Sequence, residues 1–478
     1  MDQWNWTSKL LNGPLGGPLL SAGVRLLYRD AVRAPLARAL DRRLSARAQR
    51  TASLEKQRTL IYRAVLHTLD RLLAQRAISP HVARVVVERW SQAFFASRER
   101  QRAVAAFQEC EGCRPPWFLV ISPGHACNLS CPGCYASSGA GTAKLAWSTL
   151  DRLMGEAKAL WGVPLFAFSG GEPLLYHSQG KDLLDAVAKH ADCLFLMFTN
   201  GTLIDAPTAA RLARLGNLTP ALSLEGWRAR TDARRGPGTY DRVLAAMAHL
   251  RRAGVPFGLS VTVTRENCTE ILSDAFLDFF VEEQGAFYLF CFQYTPIGRE
   301  PDWAQIPTPA QRRAFWRRSW EVVAEKRVFL LDFWNHGPLV EGCIAAGRER
   351  GYLYVDWNGH VMPCVFMPYA AANVQDLYAQ GGTLNDVWQT PFFAAIRAWQ
   401  RRYGYGRAEP SADANWMRPC PFRDHHATFR QWVAQYHPEP EDAAAAAALK
   451  DEAFCTQMIA YGEQNAPISQ EIWESEYL

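Results

Sequence analysis

Apolar and polar positions follow two different patterns along this chain, and the pattern changes near residue 115. Beyond that point, short apolar runs of strand length alternate with amphipathic segments of helical period, such as 182–191 and 240–253. The apolar runs are 116–122, 164–168, 194–199, 220–224, 256–263 and 286–294. Strands that are apolar on both faces are typical of parallel sheets covered by helices, so these β/α units predict an α/β fold. We expect ligand chemistry at the carboxyl ends of the strands.

The first hundred residues have a helical pattern and an excess of positive charge, with 18 Lys and Arg against 7 Asp and Glu. An apolar side chain recurs at every fourth position, as Val24, Tyr28, Val32, Leu36, Leu40 and Leu44. The arginines off this stripe are Arg25, Arg29, Arg33, Arg42, Arg43 and Arg47. Pro35 is expected to kink or divide the helix. Such a helix binds an anionic membrane surface or an acidic partner through residues 1–50, or it packs on the sheet domain with its arginines in solvent.

Length and composition limit the remaining possibilities. A chain of 478 residues is long enough for two to four domains. Its twelve cysteines lack the regular spacing of a disulfide scaffold, no secretory leader pattern opens the chain, and the stretch 10–24 is too short and too rich in Gly and Pro to span a bilayer. We therefore expect a cytoplasmic protein in a reducing compartment. Nucleic acid is not an expected partner, because the basic residues lack interleaved aromatic residues for base stacking.

Three cysteines follow the first apolar run in the order Cys127-Asn-Leu-Ser-Cys131-Pro-Gly-Cys134. Three thiolates so closely spaced on one loop can hold three corners of a cuboidal iron–sulfur cluster, because soft sulfur ligands suit iron. A structural zinc ion needs a fourth ligand nearby, and none follows. The pattern predicts a cluster whose fourth iron is open to a substrate.

Polar segments, four of which contain glycine, follow the next five apolar runs. They are 169–173 (Ser-Gly-Gly-Glu-Pro), 199–202, 223–226, 262–267 and 294–299. Each segment alone could be an ordinary turn between a strand and a helix. Together, at one edge of a predicted sheet that also carries the cysteine loop, they indicate a ligand site.

These motifs resemble those of radical S-adenosylmethionine (radical SAM) enzymes with a SPASM or twitch type auxiliary-cluster domain, and the resemblance covers about 115–430. It implies a partial (β/α)6 TIM barrel with an N-terminal helical region and a small C-terminal iron–sulfur domain. We expect these parts in chain order: a basic helical region (1–114), the partial barrel (115–300), a helical linker (301–340), the auxiliary-cluster domain (341–435), and a helix with a tail (436–478).

The resemblance also assigns site residues. Cys127, Cys131 and Cys134 would hold a [4Fe–4S] cluster, with S-adenosylmethionine on its open iron. The residues that would contact S-adenosylmethionine are Gly170, Gly171 and Glu172 for the ammonium group, Asn200 beside them, Ser223 and Glu225 for ribose or carboxylate, and Thr264, Tyr294 and Gly298 for adenine. The position before the third cysteine is often aromatic in the family and is Gly133 here, although Tyr135 directly follows Cys134.

The implied activity is reductive cleavage of S-adenosylmethionine to a 5′-deoxyadenosyl radical, which abstracts hydrogen from an unactivated C–H bond. The resemblance implies a peptide or protein substrate, whereas the basic N-terminal helix favours a membrane lipid. A reductant such as a flavodoxin or ferredoxin is the expected partner. The alternative is a non-catalytic iron–sulfur electron carrier or scaffold, which has no need of the polar strand ends.

A second set of cysteines, Cys343, Cys364 and Cys420, lies downstream. A hairpin turning at Asn358-Gly359 precedes Cys364 and matches the opening of the auxiliary-cluster domain. We expect one auxiliary [4Fe–4S] cluster, whose fourth site is open or filled by Cys291, His425 or His426. The alternative is three unrelated buried cysteines.

Two further features have two interpretations each. Cys110 and Cys113 form a close pair that ligates a metal or acts as a reducible dithiol. The aromatic-rich segment 303–334 lines a substrate cavity or, given its helical spacing, packs in the core.

Overall fold

The computed structural model describes residues 16–93, 97–407 and 410–478, without the side chains of 16–21. The first 15 residues of the predicted membrane-contacting segment 1–50 lie outside this range. The helices are α1 (Gly16–Leu27), α2 (Asp30–Arg50), α3 (Ser53–Ala74), α4 (Pro80–Ser91), α5 (Arg98–Glu111), α6 (Trp147–Trp161), α7 (Leu183–Lys189), α8 (Ala206–Leu215), α9 (Arg228–Arg235), α10 (Thr239–Ala253), α11 (Asp274–Leu277), α12 (Pro309–Glu321), α13 (Val374–Ala379), α14 (Leu384–Trp388), α15 (Pro391–Arg402), α16 (His426–Tyr436), α17 (Ala443–Lys450) and α18 (Glu452–Glu476).

All six predicted strands are present. The strands are β1 (Phe118–Ile121), β2 (Leu165–Phe168), β3 (His177–Ser178), β4 (Lys181–Asp182), β5 (Leu194–Thr199), β6 (Leu218–Leu224), β7 (Gly258–Val263), β8 (Leu289–Gln293), β9 (Leu330–Asp332), β10 (Tyr352–Val355), β11 (His360–Met362), β12 (Tyr369–Ala370), β13 (Ala372–Asn373) and β14 (Glu439–Pro440). Ten of them form one sheet in the order β13-β11-β10-β1-β2-β5-β6-β7-β8-β9, parallel from β10 to β9. Within the described ranges this sheet does not close, as expected for a partial barrel.

Helices cover one face of this sheet, which we call the outer face. Successive side chains of a strand point to opposite faces. Leu119 and Ile121 of β1 are completely buried in the large core that the outer face forms with the helices. Val120, between them, belongs to a separate cluster with Ala167 of β2 and Tyr354 of β10 on the opposite, inner face. The core therefore lies between sheet and helices, and the inner face is left to the functional site.

The apolar stripe of the N-terminal region lies mostly in solvent. Helix α2 packs on α3 through another face, where Arg33 is 8% exposed and its guanidinium lies 3.0 Å from the Asp70 carboxylate. Val32, Leu36 and Leu40 are 38%, 46% and 38% exposed. The prediction that this stripe packs on the sheet domain is wrong for the centre of the helix, because α2 turns alanines and Arg33 toward α3.

The C-terminal region is joined to the partial barrel more closely than the predicted parts imply. The hairpin forms as expected, with Gly359 at φ 87° between β10 and β11. Strand β10 pairs in parallel with β1, so the hairpin extends the barrel sheet. The predicted helical linker 301–340 is helical only in part, since β9 pairs with β8 and adds another strand. Strand pairing between distant segments leaves no local sequence signal, which explains both differences.

Within the described residues, no helix combines the length and the apolar content that crossing a membrane requires.

Candidate active site

The loop after β1 holds the three cysteines between backbone hydrogen bonds. The N–H of His125 donates to the carbonyl of Ala143 (2.9 Å), and that of Cys127 donates to the carbonyl of Gly139 (2.7 Å). Burial, followed by the charges of Glu172 and the other two cysteines, raises the pKa of Cys127 to about 11. The Cys127 thiol is therefore protonated in the apoprotein at neutral pH, and a metal that binds it must displace its proton.

The donor set fits a cluster better than a single ion. In the described part of the chain, no group of three or more His, Cys, Asp or Glu side chains is close enough to share one metal ion. A cuboidal cluster keeps its ligands further apart, because each thiolate binds a different iron. The N–H of Leu129 (3.5 Å) and the side-chain amide of Asn200 (3.8 Å) donate to the Cys127 sulfur, as suits a thiolate. Asn200 thus lies beside Cys127, and its contact with S-adenosylmethionine stays a prediction.

The Gly-Gly-Glu segment after β2 lies against the backbone of the cysteine loop. A Cβ atom on Gly171 would lie 2.1 Å from the Ala126 carbonyl oxygen, and Gly170 has φ 111°, so both positions require glycine. The carboxylate of Glu172 accepts hydrogen bonds from the Thr199 hydroxyl (2.7 Å) and the Asn200 N–H (2.8 Å). The structure therefore shows Glu172 joining the ends of β2 and β5. Sequence analysis did not find this linking role.

Gly298 and Arg299 hold the loop from the end of β8. A Cβ atom on Gly298 would lie 2.2 Å from the carbonyl oxygen of Cys134. The N–H of Arg299 donates to that same oxygen (2.9 Å), and its guanidinium donates to the carbonyls of Cys131 (3.1 Å) and Ser137 (2.9 Å). Gly298 thus contacts the cysteine loop, whereas the sequence assigned it to adenine.

Two arginines of α9 lie beside the loop and were missed from sequence. Arg234 donates to the carbonyls of Pro132 (3.3 Å) and Gly133 (3.2 Å). Arg235 forms an ion pair with Glu225 (2.6 Å), whose carboxylate also lies 2.7 Å from Arg234. The family resemblance assigned Glu225 to the ribose or carboxylate of S-adenosylmethionine. In this structure its carboxylate is already paired with two arginines. Four arginines in eight residues after a strand end were the available signal.

A cavity of about 620 Å³ opens next to the cysteine loop, a size suited to a nucleoside-sized ligand. Its walls include three predicted site residues, Glu225, Thr264 and Tyr294, together with Gly133. Tyr294 covers Gly133, since a Cβ atom there would lie 3.0 Å from the tyrosine ring. Ser223, half-buried at the end of β6, is not part of this wall.

The second cysteine set is half-buried. Burial raises the pKa of Cys343 and of Cys364 to about 12, and nearby Cys420 contributes to both shifts. Each sulfur has a hydrogen-bond donor: the Tyr352 hydroxyl to Cys364 (2.9 Å), the Ala345 N–H to Cys343 (3.5 Å) and the Arg423 N–H to Cys420 (3.3 Å). Such donors stabilise thiolates that bind a cluster.

Of the three residues considered as a fourth ligand, Cys291 points away from the inner face of the sheet. Cys291 is completely buried on the outer face of β8. The rings of His425 and His426 bond to the carbonyls of Arg418 (3.0 Å) and Phe422 (2.7 Å). The structure thus contradicts Cys291, which the core holds. Each histidine ring uses one nitrogen on a carbonyl, as metal-ligating histidines usually do, so His425 and His426 stay predictions.

Cys110 and Cys113 lie at the end of α5, with Cys110 exposed and Cys113 half-buried. Burial raises the pKa of Cys113, which makes its thiolate less available. Their role as a metal pair or a dithiol stays a prediction.

Comparison with known proteins identifies the family. The family model of the Radical SAM superfamily matches residues 121–275, and that of the iron–sulfur cluster-binding SPASM domain matches 343–421. The mycofactocin maturase MftC of Mycolicibacterium smegmatis is 31% identical over 300 residues, which cover 60% of this chain and 73% of that protein. The chain belongs to the radical SAM superfamily. An AdoMet-dependent heme synthase of Methanosarcina barkeri is 26% identical over 281 residues, or 52% of this chain and 77% of that protein.

Solved structures show the same fold. Streptococcus suis SuiB bound to S-adenosylmethionine is 18% identical, with a TM-score of 0.51 over 64% of this chain and 74% of SuiB. Native anSMEcpe with bound AdoMet is 18% identical, with a TM-score of 0.50 over 75% of this chain and all of that one.

The radical SAM assignment makes this chain an enzyme whose cofactors are a [4Fe–4S] cluster, S-adenosylmethionine and auxiliary iron–sulfur. The alternative of a non-catalytic carrier or scaffold is therefore wrong. The membership also confirms the family resemblance and the partial barrel predicted from sequence.

Proposed function

We propose that this radical SAM enzyme abstracts hydrogen from an unactivated C–H bond in a peptide or protein substrate. The observation that carries the proposal is the path along the inner face between the two cysteine sets. The ring of Tyr135, next to Cys134, lies 6.0 Å from that of Phe366, near Cys364, and Phe366 lies 5.1 Å from Trp334. A substrate held along these rings lies between the two cysteine sets.

Two comparisons support a peptide. MftC is described as a maturase, and a SuiB structure contains the precursor peptide SuiA. The heme synthase relative shows that the same family also acts on other substrates, so the experiment below does not presuppose a peptide.

We assign the residues as follows. Cys127, Cys131 and Cys134 hold the [4Fe–4S] cluster, and the wall formed by Thr264 and Tyr294 receives the adenosyl group. Gly170, Gly171, Glu172, Asn200, Ser223, Glu225 and Gly298 shape the rest of the cofactor site. Bound there, cluster and cofactor supply a 5′-deoxyadenosyl radical on one-electron reduction.

The protein residues position this chemistry and protect it. Arg299 and Gly298 keep the cysteine loop against the end of β8, and Tyr294 closes the space above Gly133. Cys343, Cys364 and Cys420 hold one auxiliary cluster at the other end of the path.

The test is anaerobic incubation of reconstituted protein with dithionite and S-adenosylmethionine. We expect release of 5′-deoxyadenosine, and none from the Cys127→Ala, Cys131→Ala, Cys134→Ala variant. The proposal is contradicted if the wild-type protein binds zinc, or if the electron paramagnetic resonance spectrum of its cluster does not change when S-adenosylmethionine is added. Flavodoxin and ferredoxin replace dithionite in a parallel assay, because one of them is the proposed reductant.

We also propose a reducing, cytoplasmic location, supported by twelve cysteines that are all unpaired in the described ranges.

A membrane-surface role with a lipid substrate is a second candidate, favoured by one observation. The exposed face of α2 combines Val32, Leu36 and Leu40 with Arg29 and Arg43, because these positions lie within one third of a turn of one another. An apolar stripe flanked by arginines binds anionic membrane surfaces.

Flotation with vesicles containing phosphatidylserine tests this candidate. The Leu36→Ser, Leu40→Ser variant should lose binding, whereas Tyr62→Ser on α3 should retain it, since Tyr62 is exposed but lies outside the stripe. Equal flotation of both variants and wild type excludes the membrane role of this face.

A further inference from the structure

The strands of the inner face carry no charged side chain near the cysteine loop. The Glu441 carboxyl acts on Tyr135 and Tyr354 at this face, and burial raises its pKa well above the ordinary value. Strand register identifies the last inward-facing side chain of each of the six barrel strands: Val120, Ala167, Phe198, Ser223, Thr262 and Phe292. Every other inward position of these strands is also uncharged. The strands thus present apolar rings on one side and small hydroxyls on the other.

This inner face has unfilled space above it. Outward-facing side chains such as Leu222 and Leu259 are completely buried, whereas Phe198, Ser223, Thr262 and Phe292 retain partial exposure. Phe333, directly after β9, is 42% exposed although it packs against this same face. An aromatic ring left this exposed beside packed rings is a surface that gains free energy when an apolar group covers it.

The rings form one continuous wall. Phe292 stacks on Phe333 with ring centroids 4.3 Å apart and meets the edge of Phe198 at 5.6 Å. Phe366 lies 5.9 Å from Phe292 and 6.0 Å from Tyr135, which follows Cys134. The wall therefore begins beside the cysteine loop. We call the space between this wall and the hydroxyls of Ser223 and Thr262 the inner chamber.

We propose that the inner chamber binds an uncharged aromatic or branched aliphatic side chain, and that this is the group on which the enzyme acts; the inference rests on the proposed function. A charged group would lose its hydration there without meeting an opposite charge, because burial raises the pKa of the nearby Glu441 carboxyl and favours its neutral form. An aromatic ring gains free energy from ring contacts beyond that of the area it buries. The hydroxyls opposite can bond one polar atom, such as a phenol oxygen.

The test measures binding of side-chain analogues to the anaerobic holoenzyme by equilibrium dialysis. The probes are p-cresol, n-butylammonium and propionate. We expect p-cresol to bind at least tenfold more tightly than either ion. Phe333→Asp should weaken p-cresol binding at least tenfold and strengthen n-butylammonium binding. Phe333→Lys should strengthen propionate binding instead.

The matched control is Tyr62→Asp, which places the same charge on an exposed ring of α3 that is 56% accessible. This variant should bind p-cresol like wild type. Iron content of all variants checks that they fold, which the exposure of Phe333 favours.

Three results overturn the inference. Wild type does not bind p-cresol, wild type binds n-butylammonium as tightly as p-cresol, or neither Phe333 substitution changes the affinity for p-cresol. The proposed function is judged separately, because 5′-deoxyadenosine release from S-adenosylmethionine does not require any of these probes. If the enzyme cleaves S-adenosylmethionine but binds n-butylammonium most tightly of the three probes, the proposed function stands and the inference about the inner chamber is wrong.

Discussion

Gly298→Ala is the perturbation that tests most directly how the barrel holds its cysteine loop. Gly298 has φ 74°, and a Cβ atom there would lie 2.2 Å from the Cys134 carbonyl oxygen and 2.6 Å from that of Tyr135. Both obstacles are backbone atoms, so no side-chain rotation can relieve the contact. The loop that carries the cysteines must move.

Gly180→Ala is a matched control. Gly180 has φ 73° and no atom within 4 Å of the position of a Cβ. Left-handed strain of about 1–2 kcal/mol, partly offset by the lower entropy of the unfolded chain, applies equally to both variants. Crowding adds about 1–3 kcal/mol only at Gly298. We therefore expect Gly298→Ala to lose about 1–3 kcal/mol more than Gly180→Ala.

Urea unfolding of the apoprotein measures this difference, and iron analysis after anaerobic reconstitution measures its consequence. Wild type and Gly180→Ala should each contain about eight iron atoms per chain, and Gly298→Ala about four, because one of two four-iron clusters loses its loop. Equal stability and equal iron content in the two variants would refute the close contact of Gly298 with the loop.

Three more predictions follow from the described contacts. Arg299→Lys should lose cluster absorbance faster than wild type under a chelator, since one ammonium cannot replace the guanidinium bonds to Cys131 and its neighbours; unchanged decay would show that these bonds do not retain the cluster. Burial lowers the pKa of His336 to about 4. Below about pH 6.5 the unfolded chain therefore binds a proton that the folded chain does not, and the free energy of unfolding falls as pH decreases. Urea titrations should show that wild type loses about 2 kcal/mol of unfolding free energy between pH 7 and pH 5, and that His336→Gln does not. If both proteins lose the same amount, other titrating groups determine the pH dependence of stability. Cys343→Ala, Cys364→Ala should retain about half of the iron, and full retention would remove the auxiliary cluster.

Sequence patterns predicted the elements better than their contacts. All six apolar runs became strands, because a continuous apolar run bounded by turns is a local signal. The cysteine spacing predicts the cluster loop from a local signal of the same kind. In contrast, the hairpin that pairs β10 with β1, and β9 at the other edge, depend on pairing between segments far apart in the chain.

The site residues also differ in whether a local sequence signal or only the tertiary structure reveals their contacts. Gly171 was predicted to contact the ammonium group of S-adenosylmethionine, and the structure shows that it lies against the Ala126 carbonyl. Arg234, Arg235 and Arg299 were missed, since an arginine after a strand end looks the same whether it lies in solvent or holds a loop. The apolar stripe with Leu36 at its centre was compatible with packing or exposure, and only the position of α3 decided between them.

The order of apolar runs, glycines and cysteines along the chain was sufficient for the fold class, the cluster loop and the family, because each depends on residues close together in sequence. The tertiary structure alone decided which carbonyls hold the loop, that Glu225 is paired with arginines, and that uncharged rings line the inner face. These are contacts between strand ends separated by tens of residues, and their free energy depends on distance and burial, which exist only once the sheet has assembled.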